Sequence, residues 1–317
     1  MQSSALSQPA VSWRSLLQRY GLLLSFLLLC VGLSLLSDRF LTPQNLINVL
    51  RQATINGIIA VGMTFVILTA GIDLSVGAVL ALSAVITADL LQKGTPPAAA
   101  IAAGLAIGAG LGAVNGLIVA RTRVPPFIAT LGMMTVARGL ALTYTQGRPI
   151  TGLPPEFRVL GTGSLGPVPM PVVVAGLVFL AGYLLLERTR HGQAIRAIGN
   201  NPTAARYAGI PTRGYVALVY VLSGLLAALA GIILTGRLNS AQPTAGLGYE
   251  FDAIAAVVVG GTSFSGGEGS LFGTLLGVLV IAVLNNGLNL LNVSSFWQPV
   301  VTGAVIALAL LLYRAIR

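Results

Sequence analysis

Between residues 269 and 313 the chain carries no charged side chain. A single helix over that stretch would measure about 67 Å at about 1.5 Å per residue, more than twice the roughly 30 Å of a bilayer's hydrocarbon core. The stretch must therefore fold back once, and the polar cluster from Asn285-Asn286 to Ser294-Ser295 offers the bend. Applied along the chain, charge-free windows near the roughly 20-residue crossing length predict spans near 18–37, 52–71, 74–92, 97–120, 125–145, 170–187, 214–235, 251–266, 271–290 and 297–313. Composition agrees: with 55% hydrophobic and 8% charged residues, 317 residues lack the polar surface of a soluble domain. The expected fold is an all-α polytopic membrane protein with ten transmembrane helices.

The net charge of +10 could suggest nucleic acid, but the basic residues are scattered at the ends of apolar runs. Orientation explains them better. With the N-terminus inside, the inner segments carry eleven basic residues, five of them Arg188, Arg190, Arg196, Arg206 and Arg213. The outer segments carry six: Arg39, Arg51, Lys93, Arg148, Arg158 and Arg237. That bias places both termini in the cytoplasm. The expected organisation is a cytoplasmic segment 1–17, one transmembrane domain over 18–313 and a cytoplasmic tail 314–317. The first span has no small-residue cleavage signature and reads as a retained anchor.

Several chemistries are excluded. The one cysteine, Cys30, lies in the first apolar run, so neither a disulfide framework nor a zinc site can form. Lys93, the only lysine, is followed by Gly94 and not by Ser or Thr, so the chain has no phosphate-cradling loop of the G-x-x-x-x-G-K-[ST] form. The glycine-rich run 260–270 then reads as a flexible turn between two spans. His191 falls in the basic loop as a solvated residue, and no paired carboxylates or metal ligands occur in a span, which argues against a membrane-embedded enzyme.

Ile67-Leu-Thr-Ala-Gly-Ile-Asp-Leu-Ser75 echoes Ile233-Leu-Thr-Gly-Arg-Leu-Asn-Ser240, Asn115-Gly-Leu117 echoes Asn286-Gly-Leu288, and 127–144 matches 296–313 in spacing. The offsets are 166, 171 and 169 residues. Three matches in one order at nearly one offset point to two related halves, about 44–145 and 214–313, joined by the sixth span and the loop 187–213. With ten spans, the paired segments lie on opposite sides of the membrane, the inverted repeat of many transporters. Gly104, Gly108, Gly112 and Gly116, and again Gly273 and Gly277, stack on helical faces and predict close helix packing.

Polar residues in lipid are costly unless they face protein or water. Asp73 and Ser75 lie between two spans, where Asp73 either caps the following helix or lines the inner mouth of a pathway. Asp89 and Arg138 are charges within spans, but their spacing does not support an ion pair. Asn285, Asn286 and Asn289 supply amide donors and acceptors that a polar solute would need and that helix contacts equally need.

Three blocks now stand out: Gly71-Ile-Asp-Leu-Ser-Val-Gly77, the run 241–263 beginning Ala241-Gln-Pro-Thr-Ala-Gly, and Leu284-Asn-Asn-Gly-Leu-Asn-Leu-Leu-Asn-Val-Ser-Ser295. Together they resemble the membrane permease of ribose-type ABC importers, with similarity over 45–313. The resemblance implies alternating access for a monosaccharide, foremost ribose, by a homodimer in the bacterial inner membrane. The implied partners are a cytoplasmic ATPase with tandem nucleotide-binding domains and a periplasmic sugar-binding protein. ATP and Mg would bind to that ATPase, while this chain holds no cofactor or metal, binds no nucleic acid and performs no catalysis.

Within the basic loop 187–213, the resemblance places an ATPase-docking element at Asn201-Pro-Thr-Ala-Ala-Arg-Tyr-Ala-Gly209. The alanines and glycine of that element are kept, but Pro202 replaces its acid. Proline suits a first helical turn with Asn200 or Asn201 as N-cap, and glycine suits the end, so a short helix is expected from about residue 202 to 208. The docking residues are then Ala204, Ala205, Arg206 and Gly209 beside Pro202, with Arg196 as a partner for an ATPase carboxylate. Glu250 and Asp252, at the expected outer end of the eighth span, either answer the helix dipole or meet the binding protein or sugar hydroxyls. The competing reading is an ion-coupled secondary sugar transporter, which an inverted repeat would also allow.

Overall fold

The computed structural model describes residues 13–305 and 307. The segment 1–12, the end of the tenth predicted span and the tail 314–317 lie outside the described residues.

In chain order the helices are α1 (Trp13–Leu36), α2 (Pro43–Leu68), α3 (Val76–Gln92), α4 (Pro97–Arg121) and α5 (Pro126–Thr145). Strand β1 (Ile150–Thr151), α6 (Pro155–Thr162), β2 (Ser164–Leu165) and β3 (Val168–Pro169) lead into α7 (Met170–Arg188), α8 (Arg190–Asn200) and α9 (Pro202–Tyr207). Then come α10 (Thr212–Leu238), β4 (Ser240–Ala241), α11 (Tyr249–Val259), α12 (Leu271–Leu290), a 3-10 turn Ser295–Trp297 and helix over 298–305. Proline opens α2, α4 and α5, where its fixed φ costs nothing and its missing N–H is not needed. Six helices, α2, α4, α5, α7, α10 and α12, are long and apolar enough to cross a membrane; α3 and Gly21–Leu36 of α1 are apolar but shorter. The protein is an all-α membrane protein.

The centre is built by α2 and α10. They run antiparallel: Tyr220 lies by Gly71, Ser223 by Gly62, and Arg237 reaches the Arg51 carbonyl. The glycine stripe of α4 packs onto α10 as its spacing predicted. A Cβ on Gly108 would lie 2.4 Å from the Gly224 oxygen, and one on Gly112 2.2 Å from the Tyr220 oxygen. Backbones this close leave room for hydrogen only. Gly273 and Gly277 seat α12 against the Gly260 and Ala256 carbonyls of the α11 end in the same way. Facing outward, α5 exposes Phe127, Ile128, Leu131 and Leu140, as a lipid-facing helix does.

The bend in the last apolar stretch falls after Leu290, with α12 continuing through Asn285 and Asn286. The eighth predicted span is corrected more deeply. At 11 residues, α11 is about 16 Å long and covers about half a hydrocarbon core. The rest of that route is non-helical chain. After α10, β4 pairs with β1, and the backbone of 242–248 turns inward, where the Pro243 and Ala245 carbonyls accept from Arg138 at 2.7 and 2.8 Å. Arg138 lies seven residues before the end of α5, about 10 Å in from it. Glu250 and Asp252 therefore start a half-length helix level with the middle of α5, and are not at an outer helix end.

Candidate functional site

The basic loop folds as two helices. Thr189 caps α8, accepting from the His191 N–H at 3.1 Å, and Ala194, Ile195 and Ile198 form its buried face. The sequence reading missed α8, although its apolar spacing follows one helical face. Asn201 caps α9, its side-chain oxygen accepting from Thr203 and Ala204 at 3.1 and 2.9 Å. Pro202 opens this helix, and Gly209 follows it at φ +81°. A Cβ at Gly209 meets nothing within 4 Å, so its role is the left-handed turn and not close contact.

Only Ala205 of α9 is buried; Pro202, Ala204 and Arg206 are exposed. Tyr207, which the sequence reading passed over, is 88% exposed. An aromatic ring held bare on a capped helix is a ready anchor for a partner.

Arg196 is engaged within the chain. Its guanidinium clamps the Glu187 carboxylate of α7 with both oxygens, one at 3.1 Å, and also donates to the Gly269 carbonyl at 3.1 Å. Its acid is thus its own Glu187. His191 is likewise not a solvated loop residue: half-buried, its Nδ1 lies 2.9 Å from the Tyr215 hydroxyl of α10.

The glycine run 260–270 is a packed turn and not a loose one. Gly261, Gly266 and Gly267 have positive φ, and Gly267 donates to the Leu68 carbonyl at the end of α2. A Cβ on Gly199 would sit 2.0 Å from that same carbonyl, and one on Gly267 would meet the Asn200 side chain. One assembly therefore joins α8 to the ends of α2 and α7 and the start of α12. Between it and α10 lies a cavity of about 210 Å³, lined by Arg206, Arg213, Gly199, Gly71 and Tyr220.

Beyond this cavity lies a buried polar node. Asp73, 1% exposed, accepts from the Ser75 N–H and hydroxyl at 3.0 and 2.6 Å and from the Ser223 hydroxyl at 2.8 Å. Asn115 of α4 donates to Ser75 at 2.9 Å. Asp73 closes an Asx turn before α3, whose N-cap Ser75 makes no side-chain cap. The remaining pathway candidates are spread apart. Asp252 accepts from Asn56 at 3.1 Å, and Glu250 is buried at the foot of α11. Asn286 exchanges amide hydrogen bonds with Asn45 at 2.9 and 3.0 Å, which makes it a helix clasp. Asn285 is buried with its oxygen unpartnered among the described residues, and exposed Asn289 accepts from Gln298. Asp89 pairs with Lys93 at 2.7 Å and not with Arg138.

Residues 45–310 match the family described as branched-chain amino acid transport system / permease component. The ribose import permease protein of Bacillus subtilis (strain 168) is 52% identical, covering 97% of this chain and 96% of that protein. Its counterpart in Escherichia coli (strain K12) is 51% identical over 91% of each. The D-allose transport system permease protein of the same strain is 41% identical over 89% of this chain and 87% of its own length. No solved structure matches. These relatives and the six crossing-length helices make this a multi-pass inner-membrane protein. The chain belongs to the permease components of the branched-chain amino acid transport family, and within them to the permease subunits of ribose-type sugar ABC importers.

Proposed function

We propose that this permease forms the translocation pathway for a monosaccharide, ribose in the first instance, and alternates access as a partner ATPase closes and parts. An ABC importer permease works with an ATPase and a periplasmic binding protein. On this reading the ATPase carries tandem nucleotide-binding domains with their ATP and Mg, and docks on α9. Two copies of this chain form the complex, each with ten spans, both termini cytoplasmic and halves 44–145 and 214–313 related by inversion. The antiparallel pair α2 and α10 supports the repeat, because each is followed by a left-handed residue, Ala70 at φ 59° and Asn239 at φ 53°, and then a break before a shorter helix. The outer face, where β1 joins β4, receives the binding protein.

One observation carries the coupling role. The exposed helix α9 stands on a platform fastened by Arg196 and Gly267 to three membrane helices, so a push on it is passed to them. The test is labelled ribose uptake by the permease reconstituted with ATPase and binding protein. Uptake that needs ATP supports the reading. The ion-coupled alternative has one observation in its favour, the carboxylate of Asp73 buried between helices; uptake driven by a proton or sodium gradient without ATP would establish it instead.

A further inference from the structure

An arginine in the middle of a membrane helix is expensive unless protein or water answers its charge. Arg138 is answered in an unusual way. One terminal nitrogen donates to two backbone carbonyls, Pro243 and Ala245, that no helix or sheet satisfies. In a medium without water those carbonyls need donors from the protein itself. Glu250, seven residues after Pro243 and 6% exposed, is buried at the start of the helix that follows the segment. Its carboxylate lies against Gly77 in the first turn of α3, where an added Cβ would stand 2.8 Å from Oε2. That same Cβ would stand 2.1 Å from the Gly246 oxygen. Gly77 is thus the seat on which the inturned segment rests, and Arg138 is the hand that holds it there.

We infer that Arg138, through its two bonds to backbone carbonyls, is the positioning residue of the inturned segment 242–248. Within the segment, Pro243 and Gly246 are buried. Gln242, Thr244 and Leu247 are exposed, the last at 65%. An amide, a hydroxyl and an apolar side chain suit a polyhydroxylated ligand that shows both hydrogen-bonding edges and C–H faces. Resting on the sugar-permease reading, these three residues line the outer mouth of the route, and Arg138 fixes their register.

The test measures position and needs no transport. In a Cys30→Ser background, Ala245→Cys reports the segment and Ser164→Cys, in β2, reports the neighbouring outer surface; both are labelled with a membrane-impermeant maleimide. Loss of hydrogen bonds from a charged donor should raise labelling at position 245 by about tenfold or more in Arg138→Gln, with position 164 unchanged. Arg138→Lys, which keeps the charge but loses the planar fork, should fall between parent and Arg138→Gln. If Arg138→Gln does not accumulate in membranes, Arg138→Lys is measured in its place, with a smaller rise at 245 and none at 164 expected. Labelling at 245 equal to parent overturns the inference. So does a rise at both positions, which would make Arg138 a general fold determinant. Failure of ribose uptake by the unmutated complex would sink the sugar reading and leave this result standing.

Discussion

Asp73 accepts a hydrogen bond from the Ser223 hydroxyl at 2.8 Å across 150 positions of sequence. The contact ties the non-helical stretch after α2 to the twelfth residue of α10, well inside that helix. Ser223→Ala keeps the helix and removes one of three donors to a buried carboxylate. It should cost about 1–3 kcal/mol, read as a lower midpoint in thermal unfolding of the purified permease in detergent.

The α4 seam predicts a sharp contrast between neighbouring glycines. Gly112→Ala places a methyl 2.2 Å from the Tyr220 carbonyl and should cost about 1–3 kcal/mol or more by overpacking. Gly110→Ala meets nothing within 4 Å and should be neutral or stabilising by up to about 1 kcal/mol. Comparing membrane expression and unfolding of the two variants checks the seam.

Tyr207→Ala removes an exposed ring and should leave unfolding within about 0.5 kcal/mol of parent. Association with the ATPase should weaken by about tenfold or more, as for an aromatic anchor at an interface. Co-purification titrated with ATPase tests both halves; unchanged affinity would remove Tyr207 from the docking surface.

Arg196→Gln breaks a clamp whose partners are 29% and 26% exposed. Between the values for exposed and buried pairs, a cost of about 1–2 kcal/mol is expected. The same variant should release stimulation of the ATPase by the permease while leaving the two proteins associated, because α9 keeps its cap while α8, which carries it, loses the ties of Arg196 to Glu187 and Gly269. ATPase turnover measured beside pull-down separates the two effects.

Asn201→Ala should cost about 1 kcal/mol in local helix stability and raise hydrogen exchange in residues 203–207. Pro202→Glu restores the acid of the family pattern at a position favoured by the helix dipole. It should preserve α9, read as unchanged hydrogen exchange in residues 203–207.

Much of this architecture was legible because hydropathy and glycine spacing are properties of letters. Charge-free windows located the long helices, four-residue glycine steps located the seams, and the family resemblance, backed by an Asn-Pro opening and a glycine close, located α9. The reading failed where partners are backbone atoms. Arg138 bonds to two carbonyls, Arg196 to a third, and a carbonyl has no residue type to find in a sequence. The charge-free windows leave 242–248 between the seventh and eighth predicted spans, on the outer side, while Arg138 holds it to α5. Asn286 read as a pathway amide because its match, Asn45, lies 241 positions away.

The seam between α4 and α10 also bears on movement. Four successive turns of α4 meet Thr87 and then the carbonyls of Gly224, Tyr220 and Ala217, with only the Ala228 methyl beside the first of these three backbone contacts. Sliding or rolling would drive carbonyl against Cα, and separation would open a slot no side chain could fill. These two helices therefore travel as a single keel, and whatever cycle the permease runs must find its hinges elsewhere, at breaks such as 69–75 and 239–248.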